Sequence, residues 1–388
     1  MKQFDAVIIG AGLAGLQCAK LLSRQGAKIL LVDRKTDLTK GIHTTGIFVR
    51  RTLEDFDFPA GTLGKPVKNV TLYSPRLKSL DLESEKDEFR VGKMGKLYAG
   101  FLRDCLENGV EFLNATKFLS AEIKEAESFV KLERNGEIFE VETKVLIGAD
   151  GARSRVAGDL KLDENSEWIV GYEEVYRGDS ADESRLHCFL DAKLAPGYLA
   201  WVSNDGEEIH VGVGGYAEKF NPREALKDFK KKTAGKIIDL DDAKLTETRG
   251  GRIPVGGVLR RIANENGLLI GDAAGAVSPL TAGGLDPCLR LSKFAAEIVW
   301  KRLQTENPKV LYGYSGELFR SRFVSRLWMR RLIALVSNQT LLEFGFSFLR
   351  VGIGKKFAKH VFFGRGSFPD MKIGNAEIEK SLNITTSS

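Results

Sequence analysis

Gly10, Gly12 and Gly15 form a GxGxxG run that directly follows the apolar segment FDAVII. In such a run the first glycine permits a tight turn, the second lets the backbone approach a pyrophosphate, and the third lets the following helix pack closely. Asp33 ends the next apolar segment, where its carboxylate can accept hydrogen bonds from ribose hydroxyls, and Arg34 follows it. These five residues predict dinucleotide binding. The alternative is a glycine-rich turn with a structural aspartate.

A second motif, GADGARS at 148–154, also stands at the end of an apolar run. It contains Asp150 and Gly151, and we expect both residues to contact the same nucleotide. The alternative for this motif is a simple exit from a strand into a turn.

A third motif runs from Gly271 and Asp272 to Pro279 and then to Gly283 and Gly284, again after an apolar run. Asp272 can bind a ribityl or ribose hydroxyl. Gly283 and Gly284 stand where a long helical pattern begins, so their backbone N–H groups would point forward. A helix N-terminus stabilises negative charge, such as the charge on the ring of a reduced flavin. The alternative is a glycine-rich helix cap.

The apolar periodicity around these motifs predicts the elements that hold them. Phe4–Ile9 and Ile29–Val32 are continuous apolar runs typical of buried parallel strands, and Leu13–Gln25 between them has helical spacing. Strand, helix and strand in this order form one right-handed crossover unit. Apolar runs at 144–149 and 267–270 predict two more buried strands, which end at the second and third motifs.

Alternating polar and apolar residues at 70–91 and 168–215 predict a second, antiparallel sheet, and Asn135-Gly136 predicts a hairpin turn. We therefore predict an α/β fold: a Rossmann-type cofactor-binding domain, interrupted by a mostly antiparallel β-sheet substrate domain and followed by a C-terminal helical segment. The predicted boundaries are 1–68, 92–165 and 245–305 for the cofactor domain, 69–91 and 166–244 for the sheet domain, and 306–388 for the basic helical segment.

In their order and spacing the three motifs resemble those of FAD enzymes with the para-hydroxybenzoate hydroxylase fold, over about residues 1–305. This resemblance implies that the cofactor is FAD rather than NAD. Within that superfamily the chain is similar to the geranylgeranyl reductase family, since PGYLAW at 196–201 precedes HVGVGG at 210–215, and DAAGAVSPLT stands at 272–281. The family implies that Tyr198 and Trp201 line a lipid cavity beside the flavin. Their alternative role is that of core aromatics.

The chain departs from that family close to the expected flavin ring. HTTG at 43–46 has a threonine where the family often has a cysteine, and LDPCLRLS at 285–292 also differs. His43 and Thr45 are the catalytic candidates, because an imidazole there could donate a proton or orient a substrate. A loop histidine without a catalytic role is the alternative. The family further implies that Lys93 contacts the cofactor, with a solvated lysine as the alternative.

The composition is that of an ordinary globular chain, with 388 residues, 43% hydrophobic and 28% charged. Cys18, Cys105, Cys188 and Cys288 form no CxxC pair, and the four histidines lack the spacing of metal ligands. We therefore expect reduced thiols, a cytoplasmic protein and no metal site. Neither a secretory signal nor a transmembrane helix is expected.

The positive charge is confined to the C-terminal segment. Residues 301–388 hold 15 Lys/Arg and 6 Asp/Glu, whereas the other 300 residues hold 43 and 46, which argues against a nucleic-acid-binding protein. Arg322, Arg326 and Arg330 form one stripe beside Phe319 and Phe323, the pattern of a basic amphipathic helix. The stripe predicts either a peripheral membrane contact or a helix packed on the cofactor domain with a solvated arginine face.

Two functions remain open for such an FAD enzyme. One is a reductase that transfers hydride from reduced FAD to a hydrophobic substrate, for instance an isoprenoid lipid. The other is a monooxygenase, in which reduced FAD captures oxygen and hydroxylates the substrate. Because the chain has no second GxGxxG domain, its electrons are expected from transiently docked NAD(P)H or from a protein such as ferredoxin. The side chains expected to line one apolar substrate cavity are Tyr198, Trp201, Phe319, Phe323, Trp328 and Phe344.

Overall fold

The computed structural model describes residues 1–124, 127–178, 185–320, 323–335 and 338–364. Its strands, in chain order, are β1 (Lys2–Ile9), β2 (Ile29–Val32), β3 (Ile47–Val49), β4 (Leu63–Val67), β5 (Asn69–Tyr73), β6 (Ser79–Leu82), β7 (Phe89–Gly92), β8 (Glu111–Leu113), β9 (Thr116–Ile123), β10 (Ser128–Arg134), β11 (Glu137–Gly148), β12 (Trp168–Arg177), β13 (Arg185–Phe189), β14 (Ala200–Asn204), β15 (Glu208–Gly215), β16 (Lys244–Pro254), β17 (Ala263–Asn264) and β18 (Gly267–Leu269).

The α-helices are α1 (Leu13–Ser23), α2 (Arg50–Asp55), α3 (Met94–Glu107), α4 (Arg155–Asp159), α5 (Pro222–Thr233), α6 (Leu285–Thr305), α7 (Gly316–Arg320), α8 (Val324–Leu335), α9 (Gln339–Leu349) and α10 (Gly352–Phe363). Short 3₁₀ turns cover Ala217–Lys219, Gly271–Ala274 and Pro308–Gly313.

The first sheet is the predicted Rossmann-type sheet, with the strand order β17-β18-β11-β1-β2-β8. Its strands β18, β11, β1, β2 and β8 are parallel, and helices α3 and α6 pack on α1. Continuous apolar runs suit these strands because helices bury parallel sheets. The predicted order of strand, helix and strand at the N-terminus is confirmed.

An antiparallel hairpin extends this sheet. Strand β11 pairs with β10 along its first half and with β18 at its end, while its other edge pairs with β1. Asn135 and Gly136 join β10 to β11 with φ values of 54° and 84°. A two-residue turn with both φ angles positive matches the twist of the strands it joins, so the predicted hairpin is confirmed.

The second sheet has seven strands in the order β16-β12-β15-β14-β13-β5-β6. Neighbouring strands are antiparallel except for β13 and β5, as predicted for the substrate domain. Two boundaries differ from the prediction. Strand β16 continues this sheet to residue 254, past the predicted boundary at 244, and β7 leaves it to pair with β3 and β4 in a small third sheet.

The two faces of the second sheet have different environments because successive side chains of a strand point to opposite sides. Ile209, Val211 and Val213 of β15 pack in one apolar cluster with Leu226 and Phe229 of α5. The alternate residues of the same strand lie on the opposite face. That face therefore carries polar groups and glycines, and the cofactor domain covers it.

The C-terminal helices form a layer of their own. Phe346 of α9 and Ala358 of α10 are buried against Val70, Leu72 and Leu80 of the second sheet. Within the described part of the chain, no helix has both the length and the hydrophobicity needed to cross a bilayer. The four cysteines are free and buried.

We predict that Gly212→Ala destabilises the protein by about 1–3 kcal/mol, the usual cost of overpacking. A Cβ at Gly212 would lie 2.2 Å from Cζ2 of Trp201, whose rigid indole is the cross-strand neighbour. Gly251→Ala in β16 is the matched control, because its Cβ would meet no atom closer than 3.6 Å. Urea unfolding of both variants measures the difference. Equal stability of the two variants would show that the indole is not confined.

Candidate active site

The three glycine-containing motifs meet at one edge of the first sheet. They follow β1, β11 and β18, which are parallel neighbours and therefore end at the same edge. A Cβ at Gly10 would lie 2.2 Å from the carbonyl oxygen of Ala149, and one at Gly15 would lie 1.9 Å from that of Gly10. Gly12, directly before α1, would place its Cβ in open space, with no heavy atom within 4 Å. This space in front of the uncapped α1 N-terminus suits a pyrophosphate.

Two carboxylates at the same edge have acceptor atoms to spare. Asp150 uses Oδ2 to accept the backbone N–H of Arg155 at 2.7 Å, whereas its buried Oδ1 has no hydrogen-bond partner among the described residues. Burial raises the pKa of Asp150, and it raises the pKa of Asp272 to about 6. Because an unpaired buried carboxylate is costly, both side chains fit hydroxyl donors of a bound cofactor.

Asp33 organises the turn in which it stands. Its carboxylate oxygens accept the backbone N–H groups of Ala11 at 2.7 Å and Lys35 at 2.8 Å. Each oxygen keeps a second lone pair that a ribose hydroxyl could use. Arg34 is exposed beside it. Cofactor contacts of Asp33 and Arg34 stay predictions.

Helix α6 begins at the same edge. Gly284 precedes it without a side-chain cap, and a Cβ at Gly284 would lie 3.6 Å from Oδ1 of Asp272. A Cβ at Gly283 would lie 3.3 Å from Oγ1 of Thr281, and Pro279 is buried in the preceding loop. The free N–H groups of this helix therefore lie beside Asp272, where they could stabilise negative charge on a flavin ring.

A buried carboxylate joins the cofactor domain to the second sheet. Oε2 of Glu173 in β12 accepts the indole N–H of Trp201 at 2.9 Å and the hydroxyl of Thr45. Its Oε1 lies 3.3 Å from Nδ1 of His210 and 3.5 Å from Nη1 of Arg249. We call Thr45, Glu173, Trp201, His210 and Arg249 the Glu173 cluster.

The charges of the Glu173 cluster favour an ionised carboxylate. Burial by itself would raise the pKa of Glu173, but His210, the Thr45 hydroxyl and Arg249 outweigh burial and lower the pKa below its usual value. Arg249 also donates to the backbone oxygen of Thr44 at 3.1 Å, so it holds the HTTG loop against the sheet. His210 keeps a buried Nε2 without a partner among the described residues.

Tyr198 and Trp201 lie together on the face of the sheet that the cofactor domain covers. Their rings meet edge to face with centroids 6.4 Å apart, and glycines at 212 and 214 leave room for both rings. The Tyr198 hydroxyl donates to the carbonyl oxygen of Thr281 at 2.6 Å, in the loop that leads into α6. The two aromatics are therefore next to the expected flavin site, and their contact with substrate stays a prediction.

The structure separates the two catalytic candidates. The exposed His43 places Nδ1 2.8 Å from the carbonyl oxygen of Gly250, whereas Thr45 belongs to the Glu173 cluster. Lys93 pairs with Glu207 at 2.5 Å, so a cofactor contact would require it to leave that carboxylate. The sequence analysis did not single out Glu173, His210 or Arg249 as site residues. The available signal was the alternation of polar and apolar residues along β12, β15 and β16, which are neighbours in the second sheet.

The predicted apolar cavity is wrong. Phe319 and Phe323 are fully buried in the core of the cofactor domain, whereas Trp328 and Phe344 are 61% and 76% exposed. These four side chains therefore cannot line one cavity with Tyr198.

The predicted arginine stripe is also wrong. Arg330 is only 3% exposed, and the half-buried Arg326 donates to Oγ of Ser278 at 3.0 Å. Arg322 lies outside the described residues. Helical spacing predicted one solvated face, but Arg326 and Arg330 turn inward.

Asp205, Glu208 and His210 offer possible metal ligands whose atoms lie within 4.8 Å of one another. Oδ1 of Asp205, however, already accepts two backbone N–H groups, from Glu207 and Glu208 at 2.8 and 2.6 Å. The arrangement is explained by the turn before β15, and the expectation of no metal stays a prediction.

Comparison with known proteins supports the FAD assignment. Residues 99–290 match the FAD binding domain family, and residues 4–177 match the pyridine nucleotide-disulphide oxidoreductase family. Digeranylgeranylglycerophospholipid reductase 1 of Methanopyrus kandleri is 28% identical over 357 residues, which cover 88% of this chain and 94% of that protein. The reductase of the same name from Methanothrix thermoacetophila is 26% identical over 306 residues, covering 76% and 77%.

Solved structures share the fold. A geranylgeranyl bacteriochlorophyll reductase-like protein from Thermoplasma acidophilum superposes with a TM-score of 0.80 at 19% identity, over 98% of this chain and 96% of that one. The p-nitrophenol 4-monooxygenase of Pseudomonas putida has a TM-score of 0.66 at 16% identity, over 99% and 98%. The chain aligns with the Methanopyrus reductase over most of its length and shares the fold of the Thermoplasma protein, and these similarities support a relation to the geranylgeranyl reductase family within the FAD-dependent fold.

Proposed function

We propose that the protein reduces carbon–carbon double bonds in the isoprenoid chains of a lipid. The observation that carries this proposal is the apolar pair Tyr198 and Trp201, which the Thr281 and Glu173 contacts hold at the edge where the cofactor motifs meet. The names of the aligned reductases support an isoprenoid glycerophospholipid as the substrate class.

Reduced FAD, when bound, supplies a hydride to one carbon of the double bond, and the other carbon takes a proton. The chain must orient the lipid and deliver that proton. Glu173 fixes the indole of Trp201 and the hydroxyl of Thr45 with a single carboxylate oxygen, so the aromatic surface and the HTTG loop that carries His43 keep one geometry. His43, exposed on the same loop, is the candidate group that exchanges the proton with solvent.

The electrons that regenerate reduced FAD must come from outside the chain. The GxGxxG run at 10–15 serves FAD, and the sequence has no second one for a nicotinamide. We therefore propose transient docking of NAD(P)H or of a protein donor such as ferredoxin.

We also propose a peripheral membrane contact, now through α9 and α10 rather than through the arginine stripe. Phe344, Phe348 and Ile353 are 76%, 61% and 80% exposed, and Leu341, Val351 and Phe357 are exposed beside them. Residues 344–364 contain four Lys/Arg and no Asp/Glu. An exposed apolar face with only positive charge fits the surface of an anionic membrane.

The reaction is tested with the FAD-loaded protein, reduced by dithionite under anaerobic conditions and mixed with an isoprenoid phospholipid. We expect a product that has gained hydrogen and no oxygen, with deuterium incorporated from D₂O at the protonated carbon. Mass spectrometry of the extracted lipid distinguishes the outcomes. A product that forms only in air and carries oxygen from ¹⁸O₂ would instead establish the monooxygenase.

The membrane contact is tested by sedimentation with neutral phosphatidylcholine vesicles and with vesicles that contain phosphatidylglycerol. We expect the wild type to bind the anionic vesicles more strongly and the double variant Phe344→Ser, Ile353→Ser to lose about 1–3 kcal/mol of binding for each buried side chain removed. The matched control is Ile138→Ser, Leu245→Ser, at exposed apolar positions outside α9 and α10. Equal binding by both double variants would contradict the proposed contact.

A further inference from the structure

Arg330 of α8 is a buried cation without an anionic partner among the described residues. Only 3% of it is exposed, and no salt bridge joins its guanidinium to a carboxylate of the described residues. Its Nε donates to the Tyr216 hydroxyl at 3.2 Å, and the guanidinium lies 4.9 Å from the ring centroid of Tyr216 and 5.7 Å from that of Tyr198. Its Nη2 is buried and has no partner among the described residues.

Such an arrangement is costly in the absence of a ligand. A guanidinium removed from water loses several kcal/mol of solvation, and aromatic rings replace only part of it. Buried charges in proteins are normally paired, so an Nη2 that is unpaired among the described residues indicates a place for an anion.

The space beside Arg330 can hold that anion. A cavity of about 290 Å³ is lined by Arg330, Arg320 and Arg331, with Glu167 as its one carboxylate and Tyr216 and Leu327 completing the wall. Arg320 is fixed there by hydrogen bonds from Nη1 to the carbonyl oxygens of Gly256 at 3.2 Å and Val258 at 2.9 Å. Three guanidinium groups against one carboxylate make the cavity electropositive.

A second basic cavity contains arginines that are already paired with carboxylates. It measures about 460 Å³ and is lined by Arg260, Arg261 and Arg320 together with Asp163 and Glu164, and Arg320 also lines the first cavity. Arg261 pairs there with Asp163 at 2.9 Å. Arg260 pairs with Glu317 at 3.5 Å, so both arginines that line only this cavity have carboxylate partners, and the cavity offers a control rather than a second site.

We propose that the Arg330 cavity binds the phosphate of the phospholipid substrate's headgroup. The inference rests on the proposed function and extends it to the polar end of the substrate. Phosphate oxygens accept hydrogen bonds from guanidinium groups in the geometry that arginine favours. Tyr198 contacts Arg330, the Thr281 oxygen and Trp201, so it links the Arg330 cavity to the cofactor edge, and a lipid held by its phosphate would lay its chain toward that edge.

The test is isothermal titration calorimetry of the FAD-loaded protein with dihexanoylphosphatidylglycerol, with dihexanoylglycerol and with inorganic phosphate. We expect the phospholipid to bind, the phosphate-free diacylglycerol to bind far more weakly, and Arg330→Gln to weaken phospholipid binding about tenfold or more, the scale of one lost charged hydrogen bond. Arg260→Gln, at an arginine already paired with Glu317, should keep the wild-type affinity.

A purely structural role for Arg330 would predict that Arg330→Met lowers the melting temperature and that Arg330→Gln keeps the phospholipid affinity. The headgroup site predicts the opposite. We expect Arg330→Met to keep or raise the melting temperature without ligand, because it removes an unpaired buried charge, and to abolish phospholipid binding. Unchanged phospholipid affinity in Arg330→Gln, with a lowered melting temperature in Arg330→Met, would overturn the proposal. Inorganic phosphate binding as tightly as the phospholipid would overturn the headgroup assignment and identify a free-phosphate site.

Failure of this inference can be distinguished from failure of the proposed reaction. Reduction of the lipid with wild-type affinity in Arg330→Gln would overturn only the headgroup site. Phospholipid binding that depends on Arg330, without any reduction by wild-type protein, would leave the site standing and overturn the reductase.

Discussion

The Glu173 carboxylate is the contact on which the proposed site depends. It is buried where the seven-stranded sheet meets the HTTG loop of the cofactor domain, and it bonds to groups from both. A buried carboxylate is tolerable only when charges and donors surround it, and Arg249 and His210 supply them. Removing any one partner leaves the others partly unsatisfied, so the relative position of cofactor loop and substrate sheet is strongly specified.

The alternation of side chains in the second sheet makes this junction possible. In β15 the valines face α5, whereas His210, Gly212 and Gly214 face the cofactor domain. The glycines do not line the cofactor; they leave space for the rings of Trp201 and Tyr198. One strand thus supplies apolar side chains to the core of one layer and leaves room for the aromatic rings at the surface of the next.

Local patterns predicted the cofactor domain well. The GxGxxG run, the buried strands and the Asn135-Gly136 turn depend on residues close in sequence, and all are present. The Glu173 cluster could not be predicted in this way, because its members are 128 residues apart at Thr45 and Glu173 and meet only through sheet pairing. Arg330 was assigned to a solvent-facing stripe because helical spacing identifies a face but not the direction in which that face turns.

The most direct test of this account is the single-turnover rate of lipid reduction by prereduced protein, compared between Glu173→Gln and Glu174→Gln. Glu174 is the adjacent residue on the opposite face, where it pairs with Lys230 at 2.6 Å. We predict that Glu173→Gln retains FAD but slows reduction about tenfold to a hundredfold through misplacement of Thr45 and Trp201, while Glu174→Gln stays near the wild-type rate. A wild-type rate in Glu173→Gln would contradict the account.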